Sequence, residues 1–219
     1  MRLIQDLQAE HELIETVVGS LRTFVAARLA GGADAADGPR FIEFFRLYAG
    51  DFHHAREEDS LFVALLERAQ LPEAGPIATL RGDHHRMAEL LTAMEAVIGL
   101  ALLEGDTAAT LDRLAREYSA SLWHHIDAEN SVLFPEAEAR LRKQGLPELP
   151  TREMTASERA AMTTGRDLVA RYTPVEDLSI IRGDGCVCCP ALVEGCRGLE
   201  QEWWNEWEWE EMHDHLGEG

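Results

Sequence analysis

Residues 53–62 read HHAREEDSLF and residues 124–135 read HHIDAENSVLFP. Laid over each other at an offset of 72, they place His53 on His125, Glu57 on Glu129, Leu61 on Leu133 and Phe62 on Phe134. Each stretch carries a His and a Glu four residues apart, a spacing that puts both side chains on one face of a helix with β-carbons about 5–6 Å apart. A second repeat runs through the stretches that precede them. Ile4, Leu7, Ile14, Val18, Leu21 and Val25 follow the alternating three and four spacing of a helix core face, broken only by His11. Displaced by 73, the same stripe recurs as Ile77, Leu80, Met87, Leu91, Met94 and Ile98, broken only by His84.

The repeats define a helical hairpin used twice. Breakers at residues 30–39, 72–76, 105–107 and 145–150 separate four helical segments, with Pro39 and Pro76 in first turns and Asp106 or Thr107 as the cap of the fourth. Short connections make neighbouring helices antiparallel, so residues 1–143 are expected to form an all-α, antiparallel four-helix bundle. Residues 151–219 form a C-terminal extension. It opens with a capping box, Thr155 with Glu158, and a fifth helix to about Tyr172. It then continues through a Cys cluster into an acidic, Trp-rich tail.

An imidazole in the middle of an apolar stripe needs a partner, because an unmatched buried polar group costs roughly 1–3 kcal/mol. In an antiparallel bundle His11, His53, His84 and His125 fall at one level, with Glu57 and Glu129 a turn along. Two carboxylates in a shared apolar interior repel and take up protons unless positive charge lies between them. Two divalent cations meet that need, and imidazole with carboxylate but no thiolate suits iron, zinc or manganese. Each ion would hold two His and share both Glu, leaving positions open for dioxygen, peroxide or nitric oxide. A metal-free polar network is the competing reading, and six intrusions that repeat in register are hard to satisfy that way.

The repeat also chooses the register within the doubled histidines. His54 falls on Ile126 and Glu58 on Asn130, which cannot repeat the ligation. His54, His85 and His124 are therefore expected to flank the ligands, with Glu58 solvated or orienting one of them. Glu10 and Asp83, each preceding a ligand His, read as surface residues. Tyr118, two turns before His125, reads as core packing or as a hydroxyl facing the metal cavity.

These residues resemble the hemerythrin-like (HHE cation-binding) family: His11, His53-x-x-x-Glu57, His84 and His125-x-x-x-Glu129, followed by Leu61-Phe62 and Leu133-Phe134-Pro135. The resemblance covers roughly residues 1–143 and implies a bundle with a non-haem di-iron site. Members of that family carry or sense oxygen, handle peroxide or nitric oxide in oxidative stress, or take part in iron homeostasis. Oxygen-carrying hemerythrin has a fifth His, as the second member of an His-x-x-x-His pair on its third helix. Position 88 here is Ala, so a fifth His would have to come from elsewhere.

Composition narrows the partners. With 40 acidic and 20 basic residues the net charge is −20, which repels phosphate backbones and anionic lipid, so neither nucleic acid nor a membrane is an expected partner. The N-terminus reaches a charge within six residues and lacks the apolar run of a signal peptide, which reads as a soluble, cytoplasmic chain. All four Cys (Cys186, Cys188, Cys189 and Cys196) lie in the extension, in a spacing that leaves a second metal or cluster site, redox-active thiols and plain packing all open. Residues 186–219 hold four of the five Trp and a net charge of −8, features that suit a protein partner or self-association. Two functional classes follow from the sequence. One is a di-iron protein that binds, senses or reduces a small oxidant. The other is a non-catalytic iron-binding or regulatory module acting through a partner docked on the extension.

Overall fold

In a computed structural model, residues 1–71 and 76–176 are described, and every regular element among them is helical. The Cys cluster and the Trp-rich tail lie outside the described residues. Helix α1 is Arg2–Leu29. Helix α2 spans residues 37–67; it starts as Asp37–Phe44, passes through π-helical turns at Phe45–His54 and Glu57–Phe62, and ends at Val63–Glu67. Helix α3 is Pro76–Ile98. Helix α4 starts as Gly105–Ala128 and continues through a π-helical turn, Glu129–Leu133, into Phe134–Lys143. Helix α5 is Ala156–Arg171.

The apolar stripes bury as their spacing requires. They form two cores rather than one. The larger gathers Ile14 to Val25 of α1, Phe41 to Phe52 of α2, Met87 to Ile98 of α3 and Leu111 to Ile126 of α4. The smaller gathers Met1 to Leu7, Leu61 to Leu71, Ile77 with Leu80, and Leu133 to Leu141. Each of these four helices therefore runs from one core to the other, α1 and α3 toward the larger, α2 and α4 toward the smaller. His11, His53, Glu57, His84 and Glu129 interrupt the stripes where the cores meet, and His125 buries beside Ile126 at the edge of the larger one. The result is a polar layer closed above and below by hydrocarbon.

The π turns depart from the regular helices that the spacing predicts. A π turn admits one extra residue, and such turns concentrate at functional sites. Here they contain or adjoin both His-x-x-x-Glu pairs, with Glu57 and Glu129 each opening a π segment. The start of α4 also differs from expectation. Residues 99–104 form the break, and the cap is Glu104 in extended conformation (φ −136°, ψ 152°) rather than Asp106 or Thr107. Thr107 contributes from inside the helix, its Oγ1 accepting the Glu104 N–H at 3.2 Å.

Helix α5 has the expected cap: the Glu158 N–H donates to Thr155 Oγ1 at 3.3 Å and the Thr155 N–H to Glu158 Oε2 at 2.6 Å. It packs into the larger core through Ala161 and Leu168. Close approach depends on Gly165, where a β-carbon would meet the Phe44 ring at 2.5 Å and Val17 at 3.2 Å. Beyond it, the Tyr172 hydroxyl donates to Asp37 Oδ2 at 2.7 Å, and Arg171 also donates to Asp37. The first part of the extension is thus built against the bundle. Among the described residues no helix is long and apolar enough to cross a membrane.

Candidate metal centre

The six residues singled out by the internal repeat converge in the polar layer. His11, His53 and His125 are almost fully buried, His84 is 7% exposed, and Glu57 and Glu129 are 0% exposed. The carboxylates reach imidazoles from different helices. Glu57 Oε1 lies 3.3 Å from His53 Nε2 and 3.9 Å from His11 Nε2, while its Oε2 lies 3.6 Å from His84 Nε2. Glu129 Oε2 lies 3.2 Å from His11 Nε2 and 3.3 Å from His125 Nε2. Each carboxylate therefore spans the two halves of the layer.

Two sets of four residues offer donor atoms all within 4.8 Å of one another: His11, His53, Glu57 and Glu129, and His54, Glu57, His84 and His125. Glu57 belongs to both. The second set includes His54, whose ring stacks on His84 at 3.9 Å and 11°. Sequence reasoning placed His54 beside the ligands; the structure brings it among the donors, on the side of the site where Ala88 supplies no imidazole. The repeat argued against it, since His54 falls on Ile126; in the structure it closes a π-helical stretch of α2, Phe45–His54.

Chemistry supports metal binding independently of position. His11 Nε2 and all four oxygens of Glu57 and Glu129 are buried without a hydrogen-bond partner. Leaving such groups unmatched costs roughly 1–3 kcal/mol each, more for charged ones. Burial and the facing charge of Glu57 push Glu129 well above the ordinary carboxylate range. Burial, reinforced by the charge of His53, takes His11 down to about 3. His53 moves the other way: burial opposes its protonation, but the charge of Glu57 and contacts with Glu10 bring it up to about 9. Nitrogen and carboxylate donors fit iron, zinc or manganese.

The outer nitrogens of the four His are held by a closed ring of partners, of which sequence reasoning had considered only Glu58 for such a role. His53 Nδ1 donates to Glu10 of α1 at 2.9 Å, and His84 Nδ1 to Glu58 of α2 at 2.7 Å. His125 Nδ1 donates to Asp83 of α3 at 3.4 Å, and His11 Nδ1 to Asn130 of α4 at 3.0 Å. Each helix thus holds the imidazole on the next, and the fourth returns to the first. Nδ1 donation leaves Nε2 of a neutral imidazole free to accept, and the inner nitrogens crowd together, His84 Nε2 lying 3.0 Å from His125 Nε2 so that one of the pair carries a proton when no cation lies between them. Glu10 is itself fixed by Arg56, whose Nε donates to Thr151 Oγ1 at 2.9 Å. Glu10 is 9% exposed and the Asp83 side chain 41%, so the surface reading is corrected outright for Glu10, and both residues have a partner inside. The signal was present in the repeat, which maps Glu10 on Asp83 and Glu58 on Asn130.

The remaining candidates divide. His85 is 79% exposed at its side chain and pairs with Glu89 at 3.3 Å, away from the centre. His124 is half-buried on α4, its Nδ1 unpartnered among the described residues. Tyr118 sits in the larger core, edge-on to Phe45 at 5.0 Å, and burial pushes its hydroxyl well up. Cys186, Cys188, Cys189 and Cys196 lie outside the described residues.

The model of the Hemerythrin HHE cation binding domain matches residues 2–137, which include all six repeated residues. The chain belongs to the hemerythrin HHE cation-binding family, whose members bind metal ions, usually iron. No match to a curated protein or to a solved structure was found.

Proposed function

We propose that this chain is a non-haem di-iron protein that binds, senses or reduces a small oxidant: dioxygen, peroxide or nitric oxide. The observation that carries the reading is the convergence of five buried, unpartnered donor atoms, on His11, Glu57 and Glu129, from three helices. On this reading His11 and His53 hold one ion, His84 and His125 the other with His54 in reach, and Glu57 and Glu129 bridge them. The alternation of α1 to α4 between the two cores supports an antiparallel four-helix bundle as the frame.

Bound ferrous iron would supply an open coordination position and a source of electrons. The chain's own residues do the rest. Glu10, Glu58, Asp83 and Asn130 hold the Nδ1 protons, so each imidazole keeps one tautomer and one orientation. The hydrocarbon layers limit water and strengthen every charge interaction between them. Loading the purified chain with ferrous iron without air, followed by metal analysis and optical spectra on adding each oxidant, tests the reading. Two ions per chain and an oxidant-dependent spectrum are expected. A single ion, or a metal-free chain whose stability iron does not change, overturns it.

A further inference from the structure

The two donor sets differ in access. His11, His53, Glu57 and Glu129 are all buried, and His11 lies flat against Phe134 at 5.4 Å and 9°. In the other set His54 is only half-buried, and both His54 and His84 line a cavity of about 570 Å³ between α2 and α3. Gly50 and Ala55 of α2 and Ala88 of α3 form part of its wall, so little side chain stands between the opening and these two imidazoles. Ala88 lies one turn beyond His84, where a larger residue would fill the space. The charged groups lining the cavity are Asp51, Glu58 and Asp59 against Arg81 and the neighbouring His85. That balance, within a chain of net charge −20, repels anions.

We propose that this cavity is the entry and binding site for a small uncharged ligand at the His84–His125 half of the centre, and that Ala88 sets the room for it. The inference rests on the di-iron reading and adds which half is open and what charge class enters. It predicts that the two halves differ in reactivity even before metal is bound.

Diethyl pyrocarbonate, an uncharged reagent for imidazole, tests access in the metal-free chain, with modified residues located by mass spectrometry. Exposed His85 is the internal control. His54 and His84 should react while His11 and His53 stay protected. Ala88→Leu should slow His54 and His84 about tenfold, since close packing leaves no path for the reagent, and leave His85 unchanged. Should Ala88→Leu fail to fold by circular dichroism, Ala88→Val is read the same way. Modification of His11 or His53 as fast as His84, or no protection in the variant, overturns the proposal.

The iron-loaded chain gives the second readout. Ala88→Leu should retain two ions yet bind nitric oxide more slowly than the unmodified chain. Asp51→Asn with Asp59→Asn should raise the association rate of azide about tenfold and leave that of nitric oxide unchanged. Failure of the unmodified chain to take up iron sinks the di-iron reading. Two ions with unchanged nitric oxide binding in Ala88→Leu sinks the cavity alone.

Discussion

Glu129→Gln should make the metal-free protein more stable while removing its ability to gain stability from iron. In the metal-free chain Glu57 and Glu129 are fully buried, face each other, and have no hydrogen-bond partner for any of four oxygens. Glu129, held well above the ordinary carboxylate range, must take up a proton to be buried; glutamine keeps the shape, is neutral without that proton, and offers an amide N–H₂ to the Glu57 carboxylate. Relieving one unmatched buried group is worth about 1–3 kcal/mol. A chain of this size gains roughly 2–4 °C in melting temperature per kcal/mol, so the metal-free variant should melt roughly 2–12 °C above the unmodified chain. Iron acts oppositely. A ligand at a hundred times its dissociation constant stabilises by about 2.7 kcal/mol, and the variant should forfeit that gain because Glu129 Oε2 reaches both His11 and His125. Calorimetry on chelator-treated and iron-loaded samples, with metal analysis of each, should show the two melting curves exchange order. A metal-free variant that melts below the unmodified chain refutes the argument from unpartnered oxygens. Retention of two ions with the full thermal gain refutes bridging by Glu129.

The ring of orienting partners predicts that Glu10→Gln or Asp83→Asn weakens iron affinity about 10–100-fold without removing a proposed ligand, measured by competition with a chelator. Unchanged affinity in both would mean that the Nδ1 contacts do not set imidazole geometry. Gly165→Ala should destabilise the chain by about 1–3 kcal/mol, because the added carbon meets the Phe44 ring, and urea unfolding followed by helix signal checks this. Glu158 is held at about 2, with Arg152 as its main partner and the Thr155 N–H adding to it against a burial cost. Its folded value lies below its unfolded one, so its contribution is present above about 4.5 and lost as pH falls toward about 2. Glu158→Gln should flatten that part of the stability–pH curve, and an unchanged acid limb would count against the Arg152 pairing.

How the fold and site were legible follows from the range over which each feature is determined. The four helical segments, the stripes interrupted by His11 and His84, and the paired His-x-x-x-Glu motifs are local periodicities, and periodicity is visible in a single chain. The internal repeat extended that reach, choosing His53 and His125 over their neighbours because a duplicated hairpin places equivalent residues at equivalent levels. It also held the positions of Glu10, Asp83, Glu58 and Asn130. Apart from Glu58, for which an orienting role was one of two readings, their roles were not legible, because each contacts a histidine on the next helix, and such contacts depend on helix order and rotation rather than on spacing within one helix. His54 shows the same limit more sharply. A regular α-helix turns it about 100° away from His53, yet in the structure it ends a π-helical stretch of α2 and its ring stacks on His84 of α3, a contact between helices that no spacing within α2 discloses. Likewise Ala88 was legible as a missing histidine, but the open space beside it was not. The sequence determined which residues are chemically costly to bury; tertiary packing decided which of them meet, which are oriented, and which remain reachable, because those outcomes depend on side chains from different helices filling the same volume.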